Sequence, residues 1–194
     1  MRQDSTRMAG VEVQTGAVMN KAQSDHPGVV TLPEDFDAFY QREFRSVVAL
    51  AYALSGSRIA AEDLAQEAFI AAHQQWNRVG RYEAPGAWVR RVVSNKSVSL
   101  FRKRTSEAKA LSRIGLGRQE SIRELDTPSD EFWDMVRDLP KRQSQAVALH
   151  YLEDRPIAEV AEILECSEST AKVHLHKARK TLAKRLETMD RDLI

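Results

Sequence analysis

Residues 156–180 constrain this chain more than any other stretch. Pro156 suits the first position of a helix, because it lacks the N–H that would go unpaired there and its φ is preset. Ile157, Val160, Ala161 and Leu164 follow at i, i+3, i+4 and i+7, the spacing of one buried helical face. Ser167 then offers an N-cap oxygen, and a second helix begins with Ala171, Leu175, Ala178 and Leu182 on its apolar side. Its other side carries Lys172, His174, His176, Lys177, Arg179 and Lys180. Two short helices joined by a tight turn, with cations gathered on the second, are how a helix-turn-helix reads in sequence. The plainer alternative is a pair of packed helices with a solvated basic face. Small Ala161 at the close approach, and the concentration of cations on one helix, favour duplex DNA. The first turn, Ser167, Glu168, Ser169 and Thr170, then faces base edges with Lys172, His174 and His176. Lys177, Arg179 and Lys180 face phosphates.

A formal net charge of +1 over 194 residues hides an asymmetry. Acids gather in 34–37 and 62–67, cations in 90–104 and 172–185. The split predicts one surface for nucleic acid and another for a protein partner. A 42% hydrophobic and 29% charged composition fits a globular chain of one or two domains. The single cysteine, Cys166, excludes an internal disulfide and fits a reducing cytoplasm. His174 and His176, two apart on a helix, point to different faces and make no metal site with Cys166; no cofactor is expected. No apolar run approaches the length of a membrane span, and no signal-peptide core opens the chain.

Residues 1–33 are polar with scattered glycines and read as a disordered extension; Met1, Met8 and Met19 are alternative starts. From 34 the pattern turns helical, with Phe36, Phe39, Tyr40, Phe44, Val47 and Val48 as a core stripe ended by Ser55-Gly56-Ser57. A second helix is expected from Arg58 to Trp76. It buries Ala61, Leu64, Ala65, Ala68 and Phe69, and carries Asp63, Gln66, Glu67 and Ile70 on the other face. A breaker-rich loop, 77–86, contains Arg78, Arg81 and Tyr82, and Pro85 opens a third helix from Trp88 to about Arg104. That helix is basic through Arg90, Arg91, Lys96, Arg102, Lys103 and Arg104. An aromatic and cations in a loop beside a basic helix suit a single strand, whose bases stack or lodge while cations follow the backbone. Residues 105–128 lose the apolar rhythm and read as a flexible linker. Two helices divided by Pro140, then the helix-turn-helix, complete a second domain over 129–187, with 188–194 as a tail. The fold class is all-α: two small helical domains, the second a four-helix unit.

In that order the segments resemble the extracytoplasmic-function (ECF) sigma factors of bacterial RNA polymerase. Ala61-Glu-Asp-Leu-Ala-Gln-Glu-Ala-Phe69 is similar to the family's region 2.2. Trp88-Val-Arg-Arg-Val-Val-Ser-Asn95, running on to Arg102-Lys103, is similar to its minus-ten helix. Leu139-Pro-Lys-Arg-Gln143, Leu149-His-Tyr-Leu-Glu153 and Ala158-Glu-Val-Ala161 are similar to its region 4. The resemblance implies that Asp63, Leu64, Gln66, Glu67, Phe69 and Ile70 dock on core polymerase. It implies minus-ten contacts from Arg78, Arg81, Tyr82, Trp88, Arg90, Arg91, Asn95, Lys96, Arg102 and Lys103, with a flipped-base pocket around 78–82 and Asn95. The helix-turn-helix then reads the minus-thirty-five element. Partners would be core polymerase, promoter DNA and an anti-sigma factor; no catalysis, small-molecule substrate or membrane insertion is implied, and the location is cytoplasmic. Departures fall on base reading. Ser99 stands for the family's Asp, Ser169 for Gly, and Val173, His174 and Lys177 for Ser, Arg and Arg; the loss of Arg at 174 removes a bidentate guanine reader.

The rival reading is a two-domain helix-turn-helix regulator that works without core docking. It lacks a strand–helix alternation for a receiver domain. An enzyme is disfavoured by the absence of a glycine-rich phosphate loop or a nucleophile motif. Finally, a linker without an apolar stripe predicts domains that move independently, with an outside inhibitor supplying any restraint.

Overall fold

The computed structural model describes residues 35–113 and 128–192, and all regular structure among them is helical. The amino-terminal extension and most of the expected linker, 114–127, lie outside the described residues. Helix α1 (Phe36–Ser55) ends on Gly56, whose left-handed φ of 68° lets its N–H reach Tyr52 O at 2.8 Å. Helix α2 (Arg58–Gln74) starts at Ser57, whose hydroxyl accepts from the Ala60 N–H. A single turn, α3 (Trp76–Val79), sits inside the expected loop. Helix α4 (Pro85–Arg113) runs on well past Arg104, so the first part of the expected linker is helix. Nothing in Thr105–Ala110 breaks a helix: Glu107, Ala108 and Lys109 are good formers. Only the apolar rhythm stops there, and an exposed helix needs none.

Helices α5 (Pro128–Arg137) and α6 (Lys141–Val147) follow, with a π-helical turn, Ala148–Leu152, closing the latter. Helix α7 (Ile157–Leu164) begins one residue after Pro156, and α8 (Glu168–Asp192) continues into the expected tail. Ser167 caps α8 through Thr170 N–H at 3.2 Å, as its sequence position predicts.

Two cores result. The first gathers Phe39, Val47, Ala65, Ala68, Phe69, Val89 and Val93 from α1, α2 and α4. Four buried alanines on α2 allow the close approach to its neighbours, and Phe36 and Trp76 seal one end edge to face at 5.2 Å. The second core holds Val136, Leu139, Leu149, Val160, Leu164, Leu175 and Leu182 of the C-terminal helices. It also takes in Leu50 and Leu54 of α1 and Val98 of α4. The two helical units are therefore packed on one another, which corrects the expectation of independent motion. The apolar contribution to this interface from the first unit includes Leu50 and Leu54 of α1 and Val98 of α4, residues for which the sequence reading named no role.

Arg137 stitches the same junction. Its Nη1 donates to Ala53 O at 2.9 Å and its Nη2 meets Asp134 at 2.6 Å. A Cβ at position 56 would lie 3.0 Å from Arg137 Nε. Gly56→Ala should therefore destabilise the chain by roughly 1–2 kcal/mol, from left-handed backbone cost plus displacement of that arginine. Urea unfolding followed by circular dichroism measures it.

Candidate functional site

Three surfaces carry the residues singled out by sequence. On α2, Asp63, Gln66, Glu67 and Ile70 are exposed, Leu64 is half-buried and Phe69 is buried in the first core. Ile70 is 56% exposed and Ile59, on the same helix, 72%. Beside them lies a cavity of about 480 Å³ lined by Phe36, Tyr40, Gln66, Phe69, Ile70 and His73. An acidic strip with an apolar edge over a shallow aromatic groove suits a helix bearing both cations and apolar side chains. Glu67 is also engaged within the chain, its carboxylate 2.6 Å from Lys96 Nζ of α4.

The second surface is α4 with its preceding loop, and here the structure redistributes roles. Arg78, Arg81, Tyr82, Lys96, Arg102 and Lys103 are exposed; Trp88 is half-buried. Arg90 is only 2% exposed, so the expected strand contact is corrected to a buried structural group. Its Nη1 meets Glu43 at 2.7 Å, its Nη2 donates to Ser46 Oγ at 2.9 Å, and its Nε pairs with Glu153. Burial works against the charge on Arg90, but Glu153 and then Glu43 outweigh it and raise its pKa. For Glu43, burial pushes the carboxyl up, and Arg90 followed by Arg42 outweighs it and holds the group below its ordinary value. One end of α4 is thus an ion cluster shared by three elements.

Arg91 and Asn95, the next turn along, contact the helix-turn-helix unit. Arg91 donates from Nε to Ile163 O at 3.2 Å and from Nη2 to Glu162 O at 2.9 Å, and pairs through Nη1 with Glu165 at 2.7 Å. Asn95 Oδ1 accepts from Gln145 Nε2 at 3.0 Å. The expected base pocket around 78–82 and Asn95 is shifted. A cavity of about 360 Å³ is lined by Tyr82, Glu83, Ala84, Trp88, Arg91 and Glu162, without Asn95.

The third surface is the start of α8. Ser167, Glu168, Ser169, Thr170, Lys172, His176, Lys177, Arg179 and Lys180 are exposed, and His174 is half-buried. Burial, then Arg142 and Lys177, lower the His174 pKa, so it stands as a neutral imidazole at pH 7 that both donates and accepts. Lys172 lies 3.6 Å from Glu168 one turn earlier. Sequence reasoning missed Glu43, Arg137 and Gln145 altogether, and met Glu153 only as the end of the segment similar to region 4. The partners that give them their place, Arg90 for Glu43 and Glu153, Ala53 for Arg137 and Asn95 for Gln145, lie 47 or more residues away, so no local pattern reveals them.

A four-helix unit with an acidic outer strip, followed by a helix-turn-helix unit, is the arrangement of sigma-70 regions 2 and 4. The pattern of Sigma-70 region 2 matches residues 39–107 and that of Sigma-70, region 4 matches residues 129–182. The chain belongs to the ECF sigma factors of the sigma-70 family. It is 25% identical over 158 residues to the ECF RNA polymerase sigma factor SigW of Bacillus subtilis (strain 168), covering 74% of this chain and 84% of that one. It is 29% identical over 132 residues to an RNA polymerase sigma-E factor of Streptomyces antibioticus, covering 68% and 73%. Among solved structures, the sigma factor RpoE in complex with the anti-sigma factor NepR from Bartonella quintana aligns with a TM-score of 0.62 at 22% identity, over 79% of this chain and 97% of that one. CnrH in complex with the cytosolic domain of CnrY aligns with a TM-score of 0.57 at 19% identity, over 79% and 88%. These two likenesses concern the fold.

Proposed function

We propose that this ECF sigma factor docks on core RNA polymerase through Asp63, Gln66, Glu67 and Ile70 of α2, with Leu64 and Phe69 setting the strip from beneath. The observation that carries the reading is the exposed acidic strip beside an aromatic groove, which a cation of α4 reaches at the Glu67–Lys96 pair. The chain makes and breaks no bond. It selects a start site by holding duplex DNA upstream and a single strand downstream. At α8, Lys172, His174 and His176 face base edges, beside the first turn of Ser167, Glu168, Ser169 and Thr170. Lys177, Arg179 and Lys180 follow phosphates.

Downstream, Arg78, Arg81, Tyr82, Trp88, Lys96, Arg102 and Lys103 track the non-template strand, with Arg91 and Asn95 joining once they are released. Unstacking a base costs a few kcal/mol, and the cavity at Tyr82 and Trp88 offsets part of it by receiving the base. Neither contact needs to be tight alone. Polymerase fixes their spacing, so the second binds at high effective concentration. An anti-sigma factor is the expected inhibitor, in line with the complexes seen for the structural relatives, and the setting is the cytoplasm. Among the described residues no helix is long and apolar enough to cross a membrane.

On the recognition helix, Lys180→Ala should weaken promoter binding evenly across sequences and lower its salt slope by about 1, as for any lost phosphate contact. Lys172→Ala should instead change the preferred upstream sequence. Competition binding over a randomised upstream element separates the two. The docking reading itself is tested by co-elution of the full chain with core RNA polymerase. A stoichiometric complex supports it, and separate elution at micromolar concentrations contradicts it.

A further inference from the structure

We propose that Val173 reads the 5-methyl group of a thymine in the upstream promoter element, so that α8 selects a T·A pair by an apolar contact. The inference rests on the reading of α8 as the upstream DNA-binding helix. It deepens that reading by naming one further specificity-determining residue and the base feature it recognises.

The two sides of α8 are sharply divided. Ala171, Leu175, Ala178 and Leu182 are buried in the second core. The opposite side runs through Ser169, Lys172, Val173, His176, Lys177 and Lys180, all exposed and spaced three or four residues apart or side by side. Val173 stands in the middle of that stripe and is 48% exposed. Its neighbours one turn to either side are Ser169, Thr170, His176 and Lys177, none of them an apolar side chain. A single exposed valine is ordinary on a protein surface and means little by itself. Position gives this one its meaning. Valine forms helices less readily than alanine, lysine or glutamate, so α8 gains nothing from it as an exposed helix residue. A major groove is lined by polar base edges, and the apolar group it presents is the 5-methyl of thymine.

The polar groups around Val173 do not duplicate this role. The hydroxyls of the first turn hold one another, with Ser167 Oγ 2.9 Å from Ser169 Oγ and 2.8 Å from Thr170 Oγ1. Lys172 lies 3.6 Å from Glu168 and carries a flexible ammonium that can meet O4 of thymine or O6 and N7 of guanine. No arginine, the side chain suited to bidentate guanine contact, stands between 167 and 177. A methyl group beside the acceptor separates the two bases: thymine offers O4 and the methyl together, whereas guanine offers acceptors alone. Lys172 and Val173 are consecutive on the exposed side of α8. The pair therefore selects thymine where the lysine alone tolerates guanine.

The test uses the full chain assembled with core polymerase, on the duplex that competition over a randomised upstream element selects. Each thymine of the element is replaced in turn by uracil, which keeps every hydrogen-bonding group and removes only the methyl. At one position uracil should lower affinity about fourfold, the factor for one buried methyl group. Cytosine placed there should gain about the same factor on 5-methylation. With Val173→Ser, thymine and uracil duplexes should bind alike, and 5-methylation of cytosine should change nothing. Val173→Gln, a good helix former, should give the same equality should the serine variant prove unstable. A selected element without thymine overturns the proposal, as does an element in which no uracil substitution changes affinity, the pattern expected if Val173 instead met an apolar protein partner. A thymine preference that survives in both variants overturns it too, because the methyl is then read elsewhere. Lys180→Ala keeps this failure distinct from that of the underlying reading. If it weakens promoter binding while uracil has no effect, α8 stays on DNA and Val173 alone loses its role; if neither has an effect, the placement of α8 on DNA falls as well.

Discussion

Arg90→Ala should be among the most damaging single substitutions in the chain, lowering stability by roughly 3–5 kcal/mol. The side chain serves two junctions at once, Glu43 and Ser46 of α1 and Glu153 after the π-helical turn. Removing it leaves two carboxylates with side chains 14% and 2% exposed. Glu43 then has only Arg42 at 2.9 Å, and Glu153 only Arg155 at 3.6 Å. The effect should also weaken a pH dependence. In the parent, Arg90 helps hold Glu43 below its ordinary value of 4.5, so the stabilisation is complete above that pH and is lost as acid protonates the folded group. Without Arg90, Arg42 alone offsets the burial of Glu43, and the stabilisation that depends on the ionised carboxylate shrinks. The gap between parent and variant, read by urea unfolding, should therefore be widest near pH 7 and narrow towards pH 4. An equal gap at both would assign the loss to packing rather than charge.

Reversing two charges on α2, Asp63→Lys with Glu67→Lys, should weaken binding to core polymerase by a factor of about 100 or more while leaving the fold intact. Both positions are exposed, and surface changes of this kind usually stay within about 0.5 kcal/mol of the parent. Position 67 adds a small term, because a lysine there would face Lys96 instead of pairing with it. Titration of labelled variant against core, with helicity checked by circular dichroism, reads both. Unchanged core affinity with intact helicity removes the docking assignment from this face.

Much of the fold is legible because its signals are local. Ser57, Gly56, Ser167 and the Ile157–Leu164 spacing each act within one or two turns, and the structure reproduces them. The acidic strip of α2 is legible for the same reason. What sequence misassigns is the environment of charge. Arg90, Arg91 and Arg102 share a helix and read alike as strand-facing cations, yet one is buried, one is bound to the end of α7 and one is exposed. The difference is made by Glu43, Glu153 and Glu165, which lie 47, 63 and 74 residues from their arginines. No period of 3.6 reports on such pairs. The second core escapes notice for a related reason: Leu50, Leu54 and Val98 acquire their burial only when a second unit docks on them.

This chain is expected to convert core polymerase into a promoter-selective enzyme. Transcription in vitro with core enzyme, fragmented genomic DNA of the source bacterium and start-site mapping tests it directly. Starts should be confined to a small set of sites sharing two short elements at fixed separation. These starts should vanish with the Asp63→Lys/Glu67→Lys variant and change upstream preference with Lys172→Ala. Starts no different from those of core alone would contradict it.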